Sequence, residues 1–208
     1  MVQKDKKIKI GALVSGNGTN LQSILDAMKR GVLKNIAQGV IVISNRPEAY
    51  ALKRAQEAGV EALFLDSKLF GSRQEYFDMI CQELEKREVD LICLAGFLLK
   101  LEGNIFKKFS ERILNIHPAL LPKFGGKGMY GHFVHEAVLN AEEKESGASV
   151  HLVDEEFDHG PVLLQRKVPV LGRDTAQVLA DRVLKEEHIL YPEAIRLYIQ
   201  TKLKIPIA

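Results

Sequence analysis

Residues 8–20 read Ile8-Lys9-Ile10-Gly11-Ala12-Leu13-Val14-Ser15-Gly16-Asn17-Gly18-Thr19-Asn20, and apolar residues at Leu21, Ile24, Leu25 and Met28 follow directly. The first seven residues have the pattern of a strand. The small polar run after them has the composition of a turn. The spacing from Leu21 to Met28 is helical. Gly39-Val40-Ile41-Val42-Ile43-Ser44 then forms a continuous, largely β-branched run, typical of a strand buried on both faces.

The same alternation continues outward. A helix is predicted over 49–58, closed by Gly59. Residues 60–65 read as a third strand. Residues 73–87 read as a longer helix with Tyr76, Phe77, Ile80 and Leu84 on one face. Residues 90–95 and 112–117 read as the fourth and fifth strands. Strand and helix in strict alternation predict an α/β fold: a Rossmann-like, mostly parallel sheet flanked by helices on both faces. The C-terminal part breaks the alternation. A loop over 123–131 carries Gly125, Gly126, Gly128 and Gly131. A helix over 132–141, strands near 148–153 and 162–170, and a long terminal helix complete the chain. The terminal helix is expected to start after Asp174, with Gln177 as its capping-box partner. Pro192 is expected to kink or interrupt it. Repeats, low-complexity tracts and linkers are absent from the sequence, so residues 1–208 are read as a single domain.

Composition narrows the function. Lys+Arg number 29 against Asp+Glu 27, a net charge of +2, and 46% of the 208 residues are hydrophobic. That apolar fraction with so little net charge excludes disorder as the main state. The near balance of charge argues against a nucleic-acid surface. The one dense basic group, Lys4, Lys6, Lys7 and Lys9, reads as a solvated lead-in to the first strand. No apolar run approaches the roughly 20 residues a bilayer requires. The N-terminus has no signal-peptide core. These features place the protein in the cytoplasm, without a membrane partner. Cys81 and Cys93 both sit inside apolar patterns and read as reduced, buried thiols.

Ligands of open α/β sheets bind beyond the carboxyl ends of the parallel strands. After the first strand, Ser15 to Asn20 resembles a phosphate cradle, because glycines admit a close approach and the helix start offers free N–H groups. It is not a dinucleotide fingerprint. Leu21 stands where the third glycine belongs, and Asn45 and Arg46 replace the ribose-binding acid after the second strand. The plainer alternative is a Gly/Asn turn with no ligand. After the fourth strand, Phe97, Leu98, Leu99 and Leu101 are either a pocket wall or ordinary core. The fifth strand ends Leu114-Asn115-Ile116-His117-Pro118, which puts an amide and an imidazole on one face of a buried strand. Such groups need a task or good partners. Asn can donate to a developing oxyanion, and His switches protonation near neutral pH. Asp158, in the turn Asp154-Glu155-Glu156-Phe157-Asp158-His159-Gly160-Pro161, would raise the pKa of His117 if the two meet. Of six histidines, His132 and His135 are the closest pair, and no zinc motif appears, so no metal is expected.

Asn115-x-His117 with a later Asp158, inside Leu114-Asn115-Ile116-His117-Pro118-Ala119-Leu120-Leu121-Pro122, resembles the folate-dependent formyltransferases. Ser15 to Asn20 narrows the resemblance to those that formylate 5′-phosphoribosylglycinamide (GAR) in purine biosynthesis. It runs from the first strand to Glu187-His188-x-x-Tyr191-Pro192. The resemblance implies 10-formyltetrahydrofolate as formyl donor, GAR as acceptor, and no metal. It implies that Asn115, protonated His117 and Asp158 carry the chemistry. Gly18, Thr19 and Asn20 would hold the phosphate, and Glu187 the ribose. Leu98, Leu99, Lys100 and Leu101, with Asp154, Glu155, Glu156 and Phe157, would grip the pterin, and Arg73 would lie near the benzoylglutamate. A monomer or weak homodimer is expected.

Three departures stand out. The loop over 124–131 is longer than in better-known relatives. Leu99 and Lys100 replace a usual Arg-Ile pair. Leu184 occupies a position where relatives often carry a Gln or Lys that assists phosphate binding. Leu121-Pro122 is a candidate cis peptide. The alternatives within the superfamily are formyltetrahydrofolate hydrolase and methionyl-tRNA formyltransferase. These usually carry an N-terminal regulatory domain and a C-terminal RNA domain, for which the chain leaves no room. A non-catalytic nucleotide-binding module is the alternative of a different class, and a titrating His beside an oxyanion donor argues against it.

Overall fold

The computed structural model describes residues 7–203, so Lys4 and Lys6 of the lysine group lie outside the described residues. Seven strands form one sheet: β1 (Ile8–Val14), β2 (Ala37–Ser44), β3 (Glu61–Phe64), β4 (Leu91–Leu94), β5 (Ile113–His117), β6 (Glu145–Leu152) and β7 (Val162–Pro169). Their order is β3-β2-β1-β4-β5-β6-β7. The first five pair in parallel. β6 and β7 add on antiparallel. The mostly parallel sheet read from the sequence is therefore present, with its C-terminal strands on one edge.

Among the described residues, six α-helices cover it: α1 (Thr19–Arg30), α2 (Tyr50–Glu57), α3 (Arg73–Lys86), α4 (Ile105–Lys108), α5 (His132–Asn140) and α6 (Ala176–Thr201). Strand alternation divides the core into two layers. Ile10, Ala12 and Val14 of β1 pack with α1, α2, α5 and α6. Leu13, with Ile41 and Ile43 of β2, packs with α3 and α4. Gly59, in the left-handed region at φ 73°, ends α2 as the sequence predicts. Its N–H reaches the carbonyl of Gln56, and Val60 N–H that of Ala55, the double bond of a Schellman cap. Cys81 and Cys93 are free and buried, and burial pushes their thiols up to about 11 and about 12. Leu121-Pro122 is cis.

The terminal helix corrects two expectations. Its N-cap is Thr175, whose Oγ1 accepts Val178 N–H at 3.3 Å. Asp174 instead takes a two-pronged ion pair from Arg182 at 2.5 and 2.7 Å, and Gln177 bonds Asp181. Nor does Pro192 interrupt α6, which runs unbroken to Thr201. Its neighbours Leu190, Tyr191, Ala194 and Ile195 are wholly buried, and Tyr191 Oη donates to the carbonyls of Leu94 and Leu114. Burial of that many large side chains outweighs the roughly 3 kcal/mol a helical proline costs. Among the described residues, no helix is long and apolar enough to cross a membrane.

Candidate active site

The carboxyl ends of β1, β2, β4 and β5 open into a cavity of about 740 Å³. Ser15 ties three of the loops together. Its Oγ donates to Asn45 Oδ1 at 2.7 Å and accepts Leu98 N–H at 2.9 Å, and its backbone N–H reaches Gly96 O. The loops after β1, β2 and β4 thus share one anchor.

The turn after β1 enters α1 through Gly18, which is left-handed at φ 74°. A Cβ there would sit 2.6 Å from the Cβ of Ala51, so only glycine fits. No side chain caps α1. The backbone N–H groups of residues 17–20 have no acceptor among the described residues. Asn20 lines the cavity, whereas Gly18 and Thr19 are not on its wall. Asn20 Nδ2 donates to Glu187 Oε2 at 2.6 Å, while Asn20 Oδ1 is buried without a partner among the described residues. Glu187 is only 6% exposed, and burial raises its pKa despite the hydrogen bond from Asn20.

Asn115 and His117 point from β5 into the middle of the cavity, and the turn after β6 brings Asp158 to both. His117 Nδ1 lies 3.5 Å from Asp158 Oδ2. His117 Nε2 meets the carbonyl of Phe124 at 2.8 Å, so that nitrogen carries a proton. Asp158 Oδ2 also accepts Gly126 N–H at 3.0 Å. Asn115 Nδ2 donates to His151 Nε2 at 3.1 Å and approaches Asp158 Oδ1 at 3.4 Å. His151 Nδ1 donates to the carbonyl of Leu152 at 2.8 Å, which leaves its Nε2 as the acceptor. Phe124 and Asp158 have φ of 56° and 53°. Backbone strain of this kind concentrates where a site over-determines its geometry.

Burial lowers the pKa of His117 below 6.5, although the Asp158 charge and the Phe124 carbonyl both pull it up. Both ring nitrogens nevertheless face acceptors, an arrangement suited to an imidazolium once a proton arrives. Burial by itself would raise Asp158, but His151, His117 and the Gly126 N–H together bring it below its ordinary value. The carboxylate is ionised at neutral pH. His135, on the cavity wall, is lowered to about 4 by burial and by the neighbouring His117.

Beyond the triad, Leu98, Leu99, Lys100 and Leu101 line the cavity opposite Asp154, Glu156 and Phe157. Lys100 Nζ stands 5.5 Å over the Phe157 ring and bridges the two segments. Glu155 and Arg73 are not on the wall. Arg73 reaches the site only through the Lys100 carbonyl, at 2.7 Å, and pairs with Glu102 at 3.0 Å. Leu184 lines the cavity. The glycine loop over 124–131, without a role in the sequence reading, supplies the Phe124 carbonyl and the Gly126 N–H and part of the wall. Sequence reasoning also missed His151. The signal was available: it is a second polar residue in an apolar strand, placed opposite Asn115 in the antiparallel register. No group of three or more His, Cys, Asp or Glu among the described residues is placed to hold a metal.

The chain is similar to known proteins along nearly its whole length. The family model described as formyl transferase matches residues 8–195. The phosphoribosylglycinamide formyltransferase of Escherichia coli (strain K12) is 39% identical over 198 residues, covering 95% of this chain and 90% of that protein. The trifunctional purine biosynthetic protein adenosine-3 of Gallus gallus is 40% identical over 191 residues, 92% of this chain. The chain spans only 18% of the length of that multidomain relative. The crystal structure of glycinamide ribonucleotide transformylase 1 from Symbiobacterium toebii superposes with a TM-score of 0.88 at 42% identity, covering 97% of this chain and 91% of that one.

Proposed function

The chain belongs to the formyl transferase family, and we propose that it transfers the formyl group of 10-formyltetrahydrofolate to the amine of GAR, giving formyl-GAR and tetrahydrofolate. The observation that carries this reading is the meeting of Asn115, His117 and Asp158 in one cavity with a free anion cradle at its edge. The phosphate sits on the N–H groups around Gly18, Thr19 and Asn20, and the ribose on Glu187. The pterin lies between residues 98–101 and the turn 154–158. Arg73 acts by holding the Lys100 carbonyl segment rather than by touching the folate.

In this mechanism His117 works in its neutral form, the form that burial favours. The GAR amine attacks the formyl carbon, a C–N bond forms, and negative charge develops on the formyl oxygen. One Asn115 N–H is held by His151; the other, only loosely engaged by Asp158 at 3.4 Å, turns to that oxygen. Neutral His117 takes the proton of the attacking nitrogen and passes it to N10 of the folate as the old C–N bond breaks. Asp158 stabilises the transient imidazolium. The cradle holds the amine in place, which turns a bimolecular attack into a local one. All these residues come from one chain, so a monomer or weak homodimer suffices, and no step needs a metal. Soluble substrates and free buried thiols fit the cytoplasm.

The test is to incubate the protein with 10-formyltetrahydrofolate, with and without GAR, and follow tetrahydrofolate. Release should require GAR, and His117→Ala should nearly abolish it while leaving the GAR dissociation constant within about threefold, because His117 is assigned to the chemical step. Release without GAR would indicate the hydrolase. Equal loss of binding and turnover in the variant would remove His117 from the mechanism.

A further inference from the structure

We infer that Arg54, on α2 and outside the cavity wall, is a positioning residue that aims the phosphate-binding N–H groups of the turn after β1. This rests on the proposed phosphate site and adds the device that shapes it. Two carbonyls of the turn are tied back onto α2. Ala51 N–H takes the Gly16 carbonyl at 3.1 Å, and Arg54 Nε takes the Asn17 carbonyl at 2.8 Å. Arg54 Nη2 also holds Asn17 Oδ1 at 3.1 Å, and Nη1 holds Gln22 Oε1 at 3.2 Å. The guanidinium lies 4.9 Å from the Tyr50 ring centre, which restricts it further.

A peptide unit is planar and trans, so its C=O and N–H point in opposite directions. Fixing the Gly16 carbonyl on α2 therefore turns the Asn17 N–H away from α2. Fixing the Asn17 carbonyl on Arg54 does the same for the Gly18 N–H. Neither N–H has an acceptor among the described residues. Gly18 offers little resistance to a flip of the 17–18 peptide, because glycine accepts both signs of φ. Arg54 supplies that resistance. It also places a positive charge directly behind the turn.

The test is direct binding of ribose 5-phosphate to the full chain by calorimetry, alongside turnover of GAR and of ribosylglycinamide, which lacks the phosphate. Arg54→Met should weaken ribose 5-phosphate binding and raise KM for GAR by about ten- to a hundredfold, the size of one hydrogen bond to a charged group. The kcat for GAR and the KM for ribosylglycinamide should stay within about threefold. Arg54→Lys should recover part of the affinity, since it restores the charge and one donor but not the fork. Unchanged ribose 5-phosphate affinity in Arg54→Met would overturn the inference. So would an equal loss for both acceptors together with a lower kcat, which is the signature of general structural damage. A wild-type chain that binds ribose 5-phosphate but formylates nothing would sink the proposed reaction, and a loss of that binding in Arg54→Met would still support the role of Arg54.

Discussion

Replacing Asp158 with Asn isolates one charge in the site. The amide at 158 keeps the shape of the carboxylate, and its oxygen can still accept Gly126 N–H. What disappears is a negative charge 3.5 Å from His117 Nδ1. At that separation a unit pair is worth about 5 kcal/mol with an effective dielectric constant of about 20. Each 1.4 kcal/mol, roughly, is tenfold in rate. If His117 becomes an imidazolium in the transition state, Asp158→Asn should lower kcat about a thousandfold. GAR binding should change less than about threefold, because Asp158 faces the transferring proton rather than the phosphate or ribose sites. The pH profile gives a second reading. On the proposed mechanism neutral His117 is the working form, so kcat/KM should fall as pH drops through its lowered pKa. Asp158 pulls that pKa up; without the carboxylate the acid limb should move to still lower pH. The assay is GAR-dependent release of tetrahydrofolate at saturating substrates, repeated across pH. A kcat within tenfold of wild type, or an acid limb that stays in place, would refute the assignment of Asp158 as the counter-charge of His117.

Two further variants probe groups held against their ordinary titration. His135 falls from 6.5 to about 4 on folding, so the unfolded chain takes up a proton between those values that the folded chain refuses. Stability should decline by up to about 3 kcal/mol as pH falls across that window. His135→Leu should reduce the difference between urea unfolding at pH 7.5 and pH 4.5 by about that amount, and an unchanged difference would contradict the shift. Glu187 is shifted the other way, so its folded form loses stability as pH rises through its raised pKa. Glu187→Gln keeps the acceptor for Asn20 without the buried charge. It should gain about 1–2 kcal/mol at pH 8 and nothing at pH 4, while binding GAR more weakly. A thermal melt showing destabilisation at both pH values would count against this.

The fold was legible because its signals are local. The parallel strands are rich in apolar residues, and α2 carries its own stop in Gly59. Asn115, His117 and the turn after β1 were legible for a related reason: polar residues at the carboxyl end of a buried strand conflict with their surroundings. The family resemblance added the grouping of Asp158 with Asn115 and His117, and the ligands. The misreadings arose where distant segments decide. Asp174 looked like a cap until Arg182 claimed it. Pro192 looked like a break until the packing of Tyr191 and Ile195 held the helix together. His151 acquires meaning only from the antiparallel register that sets it opposite Asn115. Above all, the charge of His117 depends on burial, which is a property of the assembled site. One carboxylate would raise its pKa, and a desolvated cavity lowers it further than the carboxylate can restore. Sequence by itself determined which groups are available to the chemistry. Tertiary structure decided their electrostatic environment, because desolvation and the 3.5 Å approach of Asp158 arise only when β5, the glycine loop and the turn after β6 close around one space.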